Sequence, residues 1–214
     1  MFNYEEMKNK IILADCMDIM KDIPDKWFEL AIVDPPYGLK DWNARGTNKK
    51  LIAGINSKKT TKWDIAPDES YFKELFRVSK NQIIWGANYF LDFLHSTTAT
   101  VIWDKNNIGM HFSNYELAWT SNIKESNRTF KLSSSQHNVE KIHPTQKPVA
   151  LYRWLLQNYA KPGDKIIDTH SGSGSLACAC HLEKFVFLAI EKDEDYYKSS
   201  VERLETLRSQ GVLF

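Results

Sequence analysis

Seven apolar runs of strand length recur along the chain, several of them separated by stretches with helical periodicity, and this alternation constrains the fold more than any other feature. The runs are KIILAD (10–15), ELAIVD (29–34), QIIWGA (82–87), TVIWDK (100–105), ELAWTS (116–121), KIIDTH (165–170) and FVFLAIE (185–191), all rich in β-branched or aromatic residues. Between them, Phe72, Leu75, Phe76 and Ser79 share one helical face. Leu151, Tyr152, Leu155, Leu156 and Tyr159 share another, as do Tyr197, Val201 and Leu204. Such a pattern predicts an α/β three-layer sandwich with a seven-stranded, mostly parallel sheet, whose ligands lie beyond the strands' carboxyl ends.

A length of 214 residues, 43% hydrophobic and 26% charged, fits a single domain spanning 1–214 with a soluble globular balance. The formal net charge of +1 provides no global basic field, so a polyanion would have to be held by a local patch. Residues 38–63 supply one candidate, with Lys40, Arg45, Lys49, Lys50, Lys58, Lys59 and Lys62 against the single acid Asp41. Cys16, Cys178 and Cys180 form no CxxC pair and no zinc spacing, which reads as reduced packing cysteines and no metal site. The opening MFNYEEMKNK lacks the apolar core of a signal peptide, and no run approaches the ~20 residues of a membrane span. A cytoplasmic protein without membrane contact is therefore expected.

Three motifs carry chemistry. The strand run ending at Val33 is followed by DPPYG (34–38), where two prolines remove two amide donors, fix two backbone dihedrals and stop the strand beside a carboxylate and an aromatic ring. DTHSGSGSLACAC (168–180) reads as strand, glycine loop and helix, an arrangement that lets backbone approach a ligand. It is neither a P-loop nor a complete GxGxxG, and alone it is equally a simple turn. Glu191, at the end of the next strand, stands where a carboxylate can accept bonds from both ribose hydroxyls of a nucleoside, or is a surface acid. HPTQKP (143–148) opens a helix over 147–159, with Pro148 suited to the first turn and Thr145 to its cap, while Lys147 beside free helix amides also makes an anion site.

DPPYG, HPTQKP and the DxxxGSGS loop, in that order, resemble the beta group of amino-group DNA methyltransferases over most of the chain, from Lys10 to about Leu207. The resemblance implies the methyltransferase sheet, circularly permuted so that the catalytic half precedes the cofactor loop, and S-adenosylmethionine as methyl donor. It implies that Asp34 and the Pro35 carbonyl accept hydrogen bonds from the target amine, held rigid by Pro36, with Tyr37 stacking on the base. It further implies that Asp168, Ser171, Gly172, Gly174 and Ser175 wrap the methionine part of the cofactor and that Glu191 holds its ribose. Asp15 matches the acid contacting the cofactor's adenine, and Thr145 and Lys147 match the motif near the methionine carboxylate. His170 stands where the family usually has phenylalanine, which alters the apolar wall against the cofactor; a packed, hydrogen-bonded imidazole is expected there, because methyl transfer gives a titrating histidine no obvious step.

An aspartate first in the motif is more typical of adenine enzymes and a serine of cytosine enzymes, so the expected product is N6-methyladenine in double-stranded DNA, reached by base flipping. N4-methylation of cytosine, an RNA or protein-amide methyltransferase, and a catalytically silent cofactor-binding module are the alternatives. Lys49, Lys50, Lys58 and Lys59 are expected to track phosphates, although the same stretch also reads as a solvated loop. Residues 121–142, polar and serine-rich, lie where the family places target recognition, and so small a reader implies a short site, help from the basic loop or a second subunit; by analogy with the family, two copies are expected to cooperate on one duplex as a homodimer.

Overall fold

The computed structural model describes residues 3–39, 64–106, 113–121, 126–133, 142–143 and 145–210. Lys49, Lys50, Lys58 and Lys59 lie outside the described residues, as does much of 121–142. In chain order the elements are α1 (Tyr4–Met7), β1 (Lys10–Leu13), α2 (Cys16–Met20), β2 (Phe28–Val33), α3 (Glu69–Val78), β3 (Ser79–Trp85), β4 (Thr100–Asp104), β5 (Tyr115–Thr120) and β6 (Arg128–Lys131). Then come α4 (Val149–Tyr159), β7 (Lys165–Asp168), α5 (Ser175–Leu182), β8 (Val186–Glu191) and α6 (Glu194–Ser209).

All seven expected strands form, and β6 adds an eighth, giving one mixed sheet in the order β1-β8-β7-β2-β3-β5-β4-β6. Its sequence, RTFK, is short and lies at the sheet's edge with only alternate side chains partly covered, so it lacks the continuous apolar run that marks a buried strand. The pairings from β1 through β3 are all parallel; β5 is antiparallel to both β3 and β4, and β6 is parallel to β4. Hence β5 alone among these strands runs in reverse. Its first residues, Tyr115 and Glu116, arrive where the other strands deliver their last.

Apolar residues alternate between two faces along β2. Leu30 and Ile32 join the layer under α4, α5 and α6, while Ala31 and Val33 join Met20, Tyr71, Phe72 and Leu75 in the layer under α2 and α3. Three aspartates set helix starts: Asp15 accepts from the Met17 N–H, Asp68 from Ser70, and Asp193 from Asp195 and Tyr196. The α4 start differs from expectation. Pro148 is the N-cap and contributes no side-chain bond, and Thr145 instead turns its hydroxyl to His143 Nδ1 at 3.0 Å. The three cysteines are buried and free.

Candidate active site

The carboxyl ends of β2, β7, β8 and β1 bring Asp34, Asp168, Glu191 and Asp15 to one edge of the sheet. Because β2 and β7 are paired neighbours, with Ala31 opposite Ile167, Asp34 and Asp168 leave the sheet on adjacent strands. Two groups of residues gather around these two carboxyls.

Around Asp34 both carboxylate oxygens already have a partner within the protein. Tyr37 donates its hydroxyl to Asp34 Oδ1 at 2.6 Å, and Lys147 Nζ bonds Asp34 Oδ2. Lys147 is only 3% exposed, lies 5.2 Å from the centre of the Trp85 ring, and has Glu116 Oε2 3.1 Å from its nitrogen. Lys105 holds the other oxygen of Glu116. Burial alone would lower the Lys147 pKa, but the charges of Asp34 and Glu116 outweigh it and leave it raised. Burial would likewise raise the Glu116 pKa, yet the two lysines hold it below the ordinary glutamate value. The Tyr37 ring stacks on Tyr89 with centroids 4.7 Å apart and an interplanar angle of 16°, and burial, with the charge of Asp34, raises its phenol well above the usual range.

The group around Asp168 is organised differently. Asp168 is buried and accepts the His170 N–H at 3.1 Å, and no lysine or arginine lies within ion-pair distance of it among the described residues. Burial, helped by the charges of Asp34 and Glu191, pushes its carboxyl up to about 8. Ser171 Oγ is buried without a hydrogen-bond partner. The loop is fastened to β8 by the Ser171 N–H bond to the Ile190 carbonyl at 2.9 Å and by the Gly172 N–H bond to Glu191 Oε2 at 2.7 Å. Glu191 Oε1 accepts from the Lys192 and Asp193 amides, and burial leaves the Glu191 pKa raised overall. A carboxylate offers about four acceptor positions, so one remains on Oε2.

The other residues singled out in the sequence are distributed unevenly about this loop. Asp15 caps α2 and pairs with Lys192 at 2.6 Å. Ser175 Oγ turns inward to Ser173 Oγ and Arg203 Nη1, both at 3.0 Å. His170 bonds Thr169 through Nδ1 at 3.0 Å and meets Tyr71 edge-on at 5.2 Å, and burial lowers its pKa to about 4. Lys147, matched in sequence to a motif near the methionine carboxylate, has its ammonium on Asp34. Glu116, Lys105, Trp85 and Tyr89 were not singled out in the sequence. Glu116 carries a recognisable signal, an acid at a strand start, but it becomes meaningful only once β5 is known to run in reverse.

The family described as DNA methylase, of N6 and N4 methyltransferases, matches residues 56–202. The type II methyltransferase M.HinfI of Haemophilus influenzae is 24% identical, over 96% of this chain and 71% of its own length. The crystal structure of the M1.HpyAVI–SAM complex resembles the fold with a TM-score of 0.61 at 22% identity, covering 91% of this chain and 98% of that one. The cytosine-N4-specific PvuII DNA methyltransferase does so with a TM-score of 0.60 at 12% identity, covering 94% and 91%.

Proposed function

Because this chain belongs to the N6 and N4 DNA methylase family, and is thereby an S-adenosylmethionine-dependent DNA methyltransferase, we propose that it methylates the N6 amine of adenine in double-stranded DNA after flipping the base. The observation that carries this reading is the Asp34 carboxylate standing at the end of β2, on the strand next to the Asp168 loop. One site can hold an amine and the other a methyl donor, side by side.

The residues around Asp168 fit such a donor. A buried carboxyl without a cation, a buried hydroxyl without a partner, and an open acceptor position on Glu191 suit a ligand with an ammonium group and a ribose. When bound, S-adenosylmethionine supplies the methyl group on a positively charged sulfur. Asp168 and Ser171 would hold its amino-acid end and Glu191 its ribose, while Gly172 leaves the space above the loop free.

The exocyclic amine is a poor nucleophile, because its lone pair is delocalised into the ring. Asp34 and the Pro35 carbonyl would favour the pyramidal nitrogen by accepting hydrogen bonds from its two hydrogens, and would stabilise the positive charge that develops on it. One proton then leaves the methylated nitrogen for solvent. Holding the amine against the bound donor would supply the rest of the rate. Tyr37 replaces the stacking lost on flipping, and the ring of Tyr89 gives way to the base. Residues 38–63 follow phosphates and 121–142 read the site, with two copies acting on one duplex.

Adenine is favoured over cytosine by the aspartate that opens DPPYG. Both amines offer two hydrogens to the same acceptors, so the mechanism holds for either. Incubation with labelled donor and DNA, followed by enzymatic digestion and mass spectrometry, should yield N6-methyladenine. N4-methylcytosine alone would refute the base assignment, and methylated RNA without methylated DNA would refute the substrate.

A further inference from the structure

We propose that Glu116 is a positioning residue for the target amine, taking the Lys147 ammonium when the amine takes Asp34. This rests on the reading that Asp34 accepts the amine's hydrogens. In the free protein, Lys147 neutralises Asp34, and a neutralised carboxylate is a weak stabiliser of the positive charge that methyl transfer develops on nitrogen. For Asp34 to act, the ammonium must move off it.

The ammonium cannot simply lose its partner. At 3% exposure it is removed from water, and stranding one member of a buried ion pair costs about 3–5 kcal/mol. Among the described residues one other carboxylate lies within ion-pair distance of Lys147, that of Glu116. Its Oε2 is 3.1 Å from Nζ yet buried without an aligned hydrogen bond, so an acceptor stands ready beside an ammonium whose hydrogen bond goes to Asp34. Lys105 fixes the opposite oxygen and leaves Oε2 turned towards Lys147. The Trp85 ring, 5.2 Å from the ammonium, also offers it a favourable face. Two carboxylates and two ammoniums keep the cluster neutral before the shift and after it, so the exchange moves no net charge into the core.

Glu116→Gln keeps the shape and removes the second anion, leaving Lys147 on Asp34. Single-turnover methyl transfer, at saturating donor and DNA and normalised to the fraction of protein that binds donor, should fall on the order of tenfold to a hundredfold. The donor Kd should stay within about twofold, because the change leaves the Asp168 loop untouched. Glu116→Asp should recover part of the rate. A Glu116→Gln rate equal to wild type would overturn the inference, as would a loss accompanied by equal weakening of donor binding. Asp34→Ala, measured in parallel, separates the two readings. If it retains transfer, the amine-site assignment itself fails; if it is inactive while Glu116→Gln is normal, only the role of Glu116 fails.

Discussion

Asp34 and Asp168 end neighbouring parallel strands, and the protein treats the two carboxyls in opposite ways. Asp34 has a phenol on one oxygen and an ammonium on the other, within a cluster whose four charges cancel. Among the described residues, Asp168 has a single backbone N–H and no cation, and burial holds its carboxyl up at about 8. On the proposed assignment, the difference follows the charge of what each would receive. A methyl donor brings its own positive charge, so a buried acid awaiting it can rest neutral. An exocyclic amine would arrive neutral and become positive only during reaction, so its acceptor is held against a counter-ion, Lys147, until then. Adjacent strand ends thus carry a partly exposed carboxyl held by charge and a buried one left without it.

The comparison can be broken most severely at Asp168. Asp168→Asn removes the anion that the donor's ammonium would meet, and calorimetry should show donor affinity reduced on the order of a hundredfold, about 3 kcal/mol. Unchanged affinity would mean that the loop holds no cation there.

The loop's two glycines should separate binding from folding. At Gly174, with φ +71°, an added Cβ would lie 3.0 Å from Ser200 Cβ and 3.2 Å from Ile11 Cδ1, whereas at Gly172, with φ +51°, the nearest atom is His143 at 3.8 Å. Gly174→Ala should cost about 3 kcal/mol in denaturant unfolding, backbone strain and overpacking together, and Gly172→Ala about half that. A stable Gly172→Val that binds donor normally would reduce the loop to a turn.

A smaller effect should appear with pH. The folded protein keeps on Asp168 a proton that the unfolded chain, with its ordinary value of 3.8, has already lost, so this group's contribution is present at low pH and declines as pH rises through about 8. His143 and His170, both lowered to about 4, act oppositely, adding stability as pH rises from 4 to 6.5. Between pH 6.5 and 8 the Asp168 effect is left unopposed by these histidines, and donor-free protein should lose about 1.5 kcal/mol of stability. Asp168→Asn should flatten that decline in urea melts taken across the window.

The two segments that carry this contrast were legible in the sequence, the contrast itself was not, and the reasons are physical. DPPYG and the 168–174 loop declare themselves because prolines and glycines act on the backbone locally, whatever surrounds them. The seven apolar runs are legible because strands covered on both faces must be apolar throughout. RTFK at Arg128–Lys131 is not legible, since an edge strand need not be. Glu116, and the partners that Lys147 takes, escaped for a different reason: ELAWTS has the same composition in either direction, and only the sheet shows that β5 is reversed and delivers Glu116 to Lys147. Strand direction is a long-range property, and so is the ion cluster that depends on it.

The assignment of the two carboxyls to separate tasks is tested most directly in Asp34→Ala, by measuring donor affinity and methyl transfer to DNA on the same preparation. Transfer should be lost while calorimetry returns a donor Kd within a few-fold of wild type, because the removed carboxylate faces the base. Donor affinity lost in step with activity would place Asp34 in the cofactor site and contradict the account.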